Sequence, residues 1–78
     1  MDRDQLAATL QRSGIRKDAY RLGAGPADEA YVLDRENGQW VVYYSERGLK
    51  RNLQSFEDEA HACNHLLTRL RDDQSTRV

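Results

Sequence analysis

The chain holds one cysteine and one proline, and neither sign of charge is in excess. A single thiol, Cys63, excludes an internal disulfide framework, which small secreted domains commonly need, so a reducing compartment is expected. The single proline, Pro26, stands in Gly23-Ala24-Gly25-Pro26, the strongest break in the sequence. No window approaches the roughly 20 apolar residues of a membrane span, and Met1-Asp2-Arg3-Asp4 leads into no apolar stretch of signal-peptide length. A cytoplasmic protein without membrane contact is the expectation. Twelve basic residues against thirteen acidic ones, interspersed, give a net charge of −1, which argues against a dedicated binder of nucleic acid or anionic membrane.

What is present is enough for one small core. Seventy-eight residues is about half a typical domain, so a single domain over 1–72 is expected, with 73–78 as a flexible polar tail. Charge is uneven locally. Asp28 to Glu36 carries four acids against Arg35, Glu57-Asp58-Glu59 is a second acidic knot, and Arg47, Lys50 and Arg51 form a small basic one.

Residues 3–13 read as a short helix: Asp2 can cap it, Leu6 and Leu10 stand one turn apart, and Gly14 supplies a left-handed C-terminal position. Ile15 is expected to fold back onto its last turn. Tyr20 and Leu22 suggest a brief strand. From Glu29 to Ser45 the apolar period becomes two, and Asn37-Gly38 sits between the two runs as a hairpin signal. A two-residue turn makes Tyr31 face Tyr44, Leu33 face Val42 and Arg35 face Trp40, leaving Val32, Asp34, Val41 and Tyr43 on the other face. A three-residue bulged turn would instead mate Tyr31 with Tyr43. Glu46-Arg47-Gly48 reads as a second turn, followed by a strand in which Leu49 and Leu53 point the same way. The last element is a helix capped by Asp58 or Ser55, with Ala60, Cys63, Leu66, Leu67 and Leu70 on one stripe. The fold class is therefore α+β: an N-terminal helix, a three- to four-stranded antiparallel meander and a C-terminal helix. Both helices lie on one face of the sheet, which leaves the other face to water or to a partner.

The chemistry-bearing residues have ordinary explanations. His61 and His65 stand four apart on the last helix, but two ligands do not make a metal site, and both are expected on the exposed side of the helix. Cys63 falls on the apolar stripe, where a small buried thiol is the usual finding, away from any base. Gly23-Ala24-Gly25-Pro26 lacks the lysine and the following helix of a phosphate loop. No catalytic residue, metal or cofactor is expected. On the sheet, Tyr43 or Tyr44 must stand on the side that the helices leave uncovered. A tyrosine beside an aliphatic residue within a charged rim has the composition of an interface centre.

The runs Glu29-Ala-Tyr-Val-Leu-Asp34, Gly38-Gln-Trp-Val-Val-Tyr-Tyr-Ser-Glu-Arg-Gly48 and Phe56-Glu-Asp-Glu-Ala60, with Ala62-Cys63, resemble a family of small predicted immunity proteins. Those proteins accompany bacterial polymorphic toxins, including contact-dependent and Rhs-type systems. The similarity spans about residues 14–70 and implies stoichiometric binding of a cognate toxin domain, often through an acidic surface that meets a basic cleft. On that reading Tyr43 or Tyr44 is the anchor, supported by Asp34, Glu36, Glu46 and Arg47. Two other classes compete with it. A self-associating module would pair copies of the chain through the open sheet face. A double-stranded-RNA-binding domain shares the order of elements but places lysines at the start of the last helix, where this chain has Glu57-Asp58-Glu59.

Overall fold

The computed structural model describes residues 1–23, 25 and 27–77. Helix α1 spans Arg3–Arg12. Asp2 accepts the Gln5 amide and the Gln5 side chain accepts the Asp2 amide, each at 2.9 Å, which satisfies two of the free donors at the helix start. At the other end Gly14 takes φ +74°, so the Gly14 and Ile15 amides can reach back to the Gln11 and Leu10 carbonyls at 3.3 and 3.1 Å. That closure turns Ile15 into the core, as its position after the glycine implies.

The sheet has four strands in the order β1-β2-β3-β4: Tyr20–Leu22, Ala30–Glu36, Gln39–Glu46 and Leu49–Phe56. Strands β2, β3 and β4 form an antiparallel meander. Its two-residue turns, Asn37-Gly38 and Arg47-Gly48, place both central residues at positive φ, the geometry whose twist suits tight hairpins. Tyr31 faces Tyr44, Leu33 faces Val42 and Arg35 faces Trp40, so the register is that of the two-residue turn and not of the bulged alternative.

Strand β1 departs from the meander. It runs parallel to β2, with Tyr20 opposite Tyr31 and Leu22 opposite Leu33, and the sheet is mixed. Strand β1 is only three residues long and lies along the edge of β2. Of the break expected at Gly23-Ala24-Gly25-Pro26, Ala24 and Pro26 lie outside the described residues. A second departure is in β4, where the register shifts between the partners of Val42 and Tyr44 and Asn52 has φ +55°. This bulge sets Asn52 and Leu53 against Tyr43 and puts Leu49 and Leu53 on opposite sides of the strand, not on one.

Helix α2 spans Glu59–Asp72, and Asp58 caps it by accepting the His61 amide at 2.8 Å. The buried stripe is Ala62, Cys63, Leu66, Leu67 and Leu70; Ala60, expected there, is exposed. The stripe joins Leu6 and Leu10 of α1, Ile15, Ala19, and Leu33 and Val42 of the sheet in one core, so both helices pack on the same sheet face. No helix among the described residues is long and apolar enough to cross a membrane.

Residues 74–77 of the tail expected from residue 73 are seated against the rest of the domain. Gln74–Thr76 form a short 3-10 turn, Thr76 is buried with its hydroxyl donating to the Leu70 carbonyl at 2.7 Å, and Arg77 bridges to Ile15. Its polar composition hides this because the polar groups are used in hydrogen bonds, to Asp73 within the segment and to Leu70 and Arg16 outside it. Val78 lies outside the described residues.

Candidate functional site

The six residues marked by the sequence divide between the two faces of the sheet. On the face away from the helices lie Asp34, Glu36 and Tyr43; on the helix side, past the end of the core, lie Tyr44 and Glu46. Arg47 is exposed at the tip of the second turn between them.

The first group does not form an open surface. Val32, Val41 and Tyr43 make a small second cluster with Ala27 packed on it, and Tyr43 is only 8% exposed. Ala27 and Asp28, just before β2, are fastened to this side of the sheet. The Ser45 hydroxyl donates to the Ala27 carbonyl at 2.7 Å, and the Arg47 amide donates to the Asp28 carboxylate at 2.8 Å. Lys50 then extends over the Tyr43 ring, 5.1 Å from its centre, and donates to Glu36. Burial raises the Tyr43 phenol above its ordinary range, with Lys50 opposing and Asp34 and Glu36 adding. This tyrosine is roofed by its own chain and is not placed to anchor a partner.

Tyr44 has a different setting. Its ring meets Tyr31 edge to face, 4.9 Å between centres and 63° between planes, and remains half-buried. Tyr31 in turn donates to Asp73 at 2.9 Å, and the Arg69 guanidinium lies 5.1 Å from the Tyr31 ring centre. Burial first, and then that hydrogen bond to a carboxylate, push the Tyr31 phenol up to about 12. The two rings, Glu29, Asp73, Arg16 and Ser75 line a cleft of about 250 Å³. Burial and then the carboxylates of Glu29, Glu46, Asp73 and Asp28 raise the Tyr44 phenol, so the field at its hydroxyl is negative. Glu46 is held by Arg51 at 2.7 Å. Arg16 is held on the far wall by Asp18 at 2.9 Å and the Ser75 carbonyl at 2.9 Å. Among the described residues no hydrogen bond or ion pair engages the Glu29 carboxylate or the Tyr44 hydroxyl.

No family model, curated protein or solved structure matches the chain. A larger and more open groove of about 480 Å³ lies between the starts of α1 and α2, but Arg3 and Glu59 pair across it at 3.4 Å and Asp2 is committed to capping α1. The Tyr44 cleft is the smaller space and the better candidate, because it alone of the two sets a half-exposed aromatic ring beside an unpaired carboxylate.

The remaining reactive groups are accounted for. Cys63 is fully buried, and burial pushes its thiol up to about 11, so it is protonated at neutral pH. His61 is exposed, with Nδ1 2.8 Å from the Asp58 carboxylate. His65, expected on the exposed side of the helix, is half-buried: its ring packs 5.0 Å from Phe56 and its Nε2 is buried without a hydrogen-bond partner. Among the described residues no three His, Cys, Asp or Glu side chains converge as a metal site requires.

Sequence reasoning found Tyr44 and Glu46 and the Tyr31–Tyr44 pairing. It missed Glu29, Asp73 and Arg16 as neighbours. The register alone puts Glu29 at the mouth, since it precedes Ala30 and shares the parity of Tyr31. Asp73 and Arg16 come together only through the folding back of the C-terminal segment, for which the sequence carries no periodic signal.

Proposed function

We propose that this chain is a non-enzymatic protein-binding domain, an immunity protein that neutralises a cognate bacterial toxin by stoichiometric binding. The observation that carries the reading is the Tyr44 surface: a half-exposed aromatic ring, beside an unpaired Glu29, in the combined field of four carboxylates. An aromatic anchor with a charged rim is the arrangement in which a few residues dominate affinity while the surrounding charges steer association. Its sign suits a basic partner, such as a cleft that binds a polyanionic substrate. The surface lies on Tyr44, Glu46 and their neighbours; Asp34, Glu36 and Tyr43 belong to the roofed face and have at most a supporting role.

One observation favours self-association as the second reading. Strand β4 is an edge strand of eight residues, largely exposed, with Leu49 at 55% and Leu53 at 40%. The bulge at Asn52 and the charges of Lys50 and Arg51 are features that discourage edge-to-edge pairing, so this reading ranks lower.

The test is to express the chain with whichever candidate toxin domain its gene neighbourhood encodes. A 1:1 complex and protection of cells from the toxin support the proposal. Failure to bind at micromolar concentration, together with a concentration-dependent dimer in light scattering, favours the second reading.

A further inference from the structure

The aromatic rings of β2 and β3 are Tyr31, Trp40, Tyr43 and Tyr44. Three of them carry cations of this chain: Arg69 over Tyr31, Arg3 and Arg35 over Trp40, and Lys50 over Tyr43. No Lys or Arg among the described residues lies over Tyr44, although its hydroxyl sits in a field of carboxylates that favours one. A cation near an aromatic face and a carboxylate gains from the ring quadrupole and from the charge together.

The cleft beside Tyr44 has the size and lining for such a group. About 250 Å³ is below the range of about 300–1,000 Å³ typical of pockets for drug-sized ligands and suits one side chain. Glu29 is exposed and free to pair, and Asp73 already accepts from Tyr31 and Ser75 on the inner wall. Arg16 also faces the cleft, but its guanidinium is committed to Asp18 and to the Ser75 carbonyl, so its charge is offset where it stands.

We propose that the cleft formed by Tyr31, Tyr44, Glu29 and Asp73 is a preformed slot for an arginine side chain presented by a protein partner. The planar guanidinium stacks on the Tyr44 ring while its N–H fork pairs with Glu29, a geometry that the ammonium of lysine satisfies only in part. The identity of the side chain's owner rests on the protein-binding reading above; the slot itself does not, and it is testable with a free ligand.

The probe is Nα-acetyl-arginine amide, titrated at low salt into the isotope-labelled chain and followed by amide shifts, with the acetyl amides of lysine and glutamine as comparisons. The slot predicts saturable shifts centred on residues 29, 31, 44 and 73, with a dissociation constant on the order of millimolar for one side chain on a surface site. Lysine should bind more weakly and glutamine not at all. Glu29→Gln, at an exposed position with no intramolecular partner, should weaken the arginine derivative about five-fold. Tyr44→Leu, which retains an apolar side chain at that position, should remove the saturable phase. Linear, non-saturating shifts, equal shifts with the glutamine derivative, or a Glu29→Gln chain that binds as well as the parent would each overturn the proposal. If the arginine derivative binds in the slot and the neighbouring toxin domain does not bind at all, the slot stands and the choice of partner falls.

Discussion

His65 carries a polar demand that the fold does not meet. Its Nε2 is buried without a partner, and burial first, then the nearby Arg69, lower its pKa from the ordinary 6.5. The folded state thus favours the neutral imidazole. With the folded value below the unfolded one, the stabilising contribution is complete above about 6.5 and is lost as pH falls through the lower folded value. Urea unfolding should therefore show stability declining between pH 7.5 and 5, a window above the range in which carboxylates protonate. His65→Leu should flatten that decline and should equal or exceed the parent at pH 7.5, because it removes a buried unpaired group without breaking a hydrogen bond. A variant that keeps the full pH dependence would place its origin elsewhere. Asp73 acts in a lower window: hydrogen bonds from Ser75 and then Tyr31 hold its carboxyl below the ordinary range, so its contribution is present at neutral pH and lost in acid.

At the scale of elements, the segment after α2 decides whether the Tyr44 cleft exists. Asp73 and Ser75 form its inner wall, Thr76 closes over the core, and Arg16 reaches the segment through the Ser75 carbonyl. Ending the chain after Asp72 should cost roughly 2–4 kcal/mol, through loss of the hydrogen bonds from Tyr31 to Asp73, from the partly exposed Arg16 to the Ser75 carbonyl and from Thr76 to the Leu70 carbonyl, readable in urea unfolding. An unchanged midpoint would mean that the segment is the frayed tail its composition suggests. The elements that were legible in the sequence are those with local signals. Asp2 and Gly14 bound α1, Asn37-Gly38 and Gly48 fix the two hairpin turns, and the leucines of α2 repeat at helical spacing. The parallel pairing of β1, the packing of Ala27 over Tyr43 and the return of residues 73–77 were not legible. Each is a contact between distant parts of the chain made through short segments with no apolar period, and the α2 stripe itself was misplaced by two residues at its start, Ala60 for Ala62.

For the whole molecule, the order of elements suggests a covered face and an open face, but both faces of the sheet are partly covered. The face without helices is expected to be open, but Ala27, packed on Val32, Val41 and Tyr43, and Lys50, over the Tyr43 ring, close that part of it. The exposed chemistry is displaced to the end of the helix-covered face, where α2 stops and Tyr44 is left half-covered beside Glu29. Two sets of residues that lie close in sequence are thus separated in the fold: Asp34, Glu36 and Tyr43 on one face, Glu29 and Tyr44 on the other. The measurement that separates them most directly is the association and dissociation rates of the partner proposed above, a toxin domain if one is encoded beside this chain, with three folded variants: Tyr44→Ala, Glu29→Gln, and the pair Asp34→Asn with Glu36→Gln. Truncating Tyr44 should raise the dissociation rate at least thirty-fold, about 2 kcal/mol for an aromatic interface anchor. Removing the Glu29 charge should slow association chiefly at low salt, and the Asp34 and Glu36 pair should change either rate by less than about three-fold. A dissociation rate unchanged by Tyr44→Ala, with the larger loss falling on the Asp34 and Glu36 pair, would contradict the account.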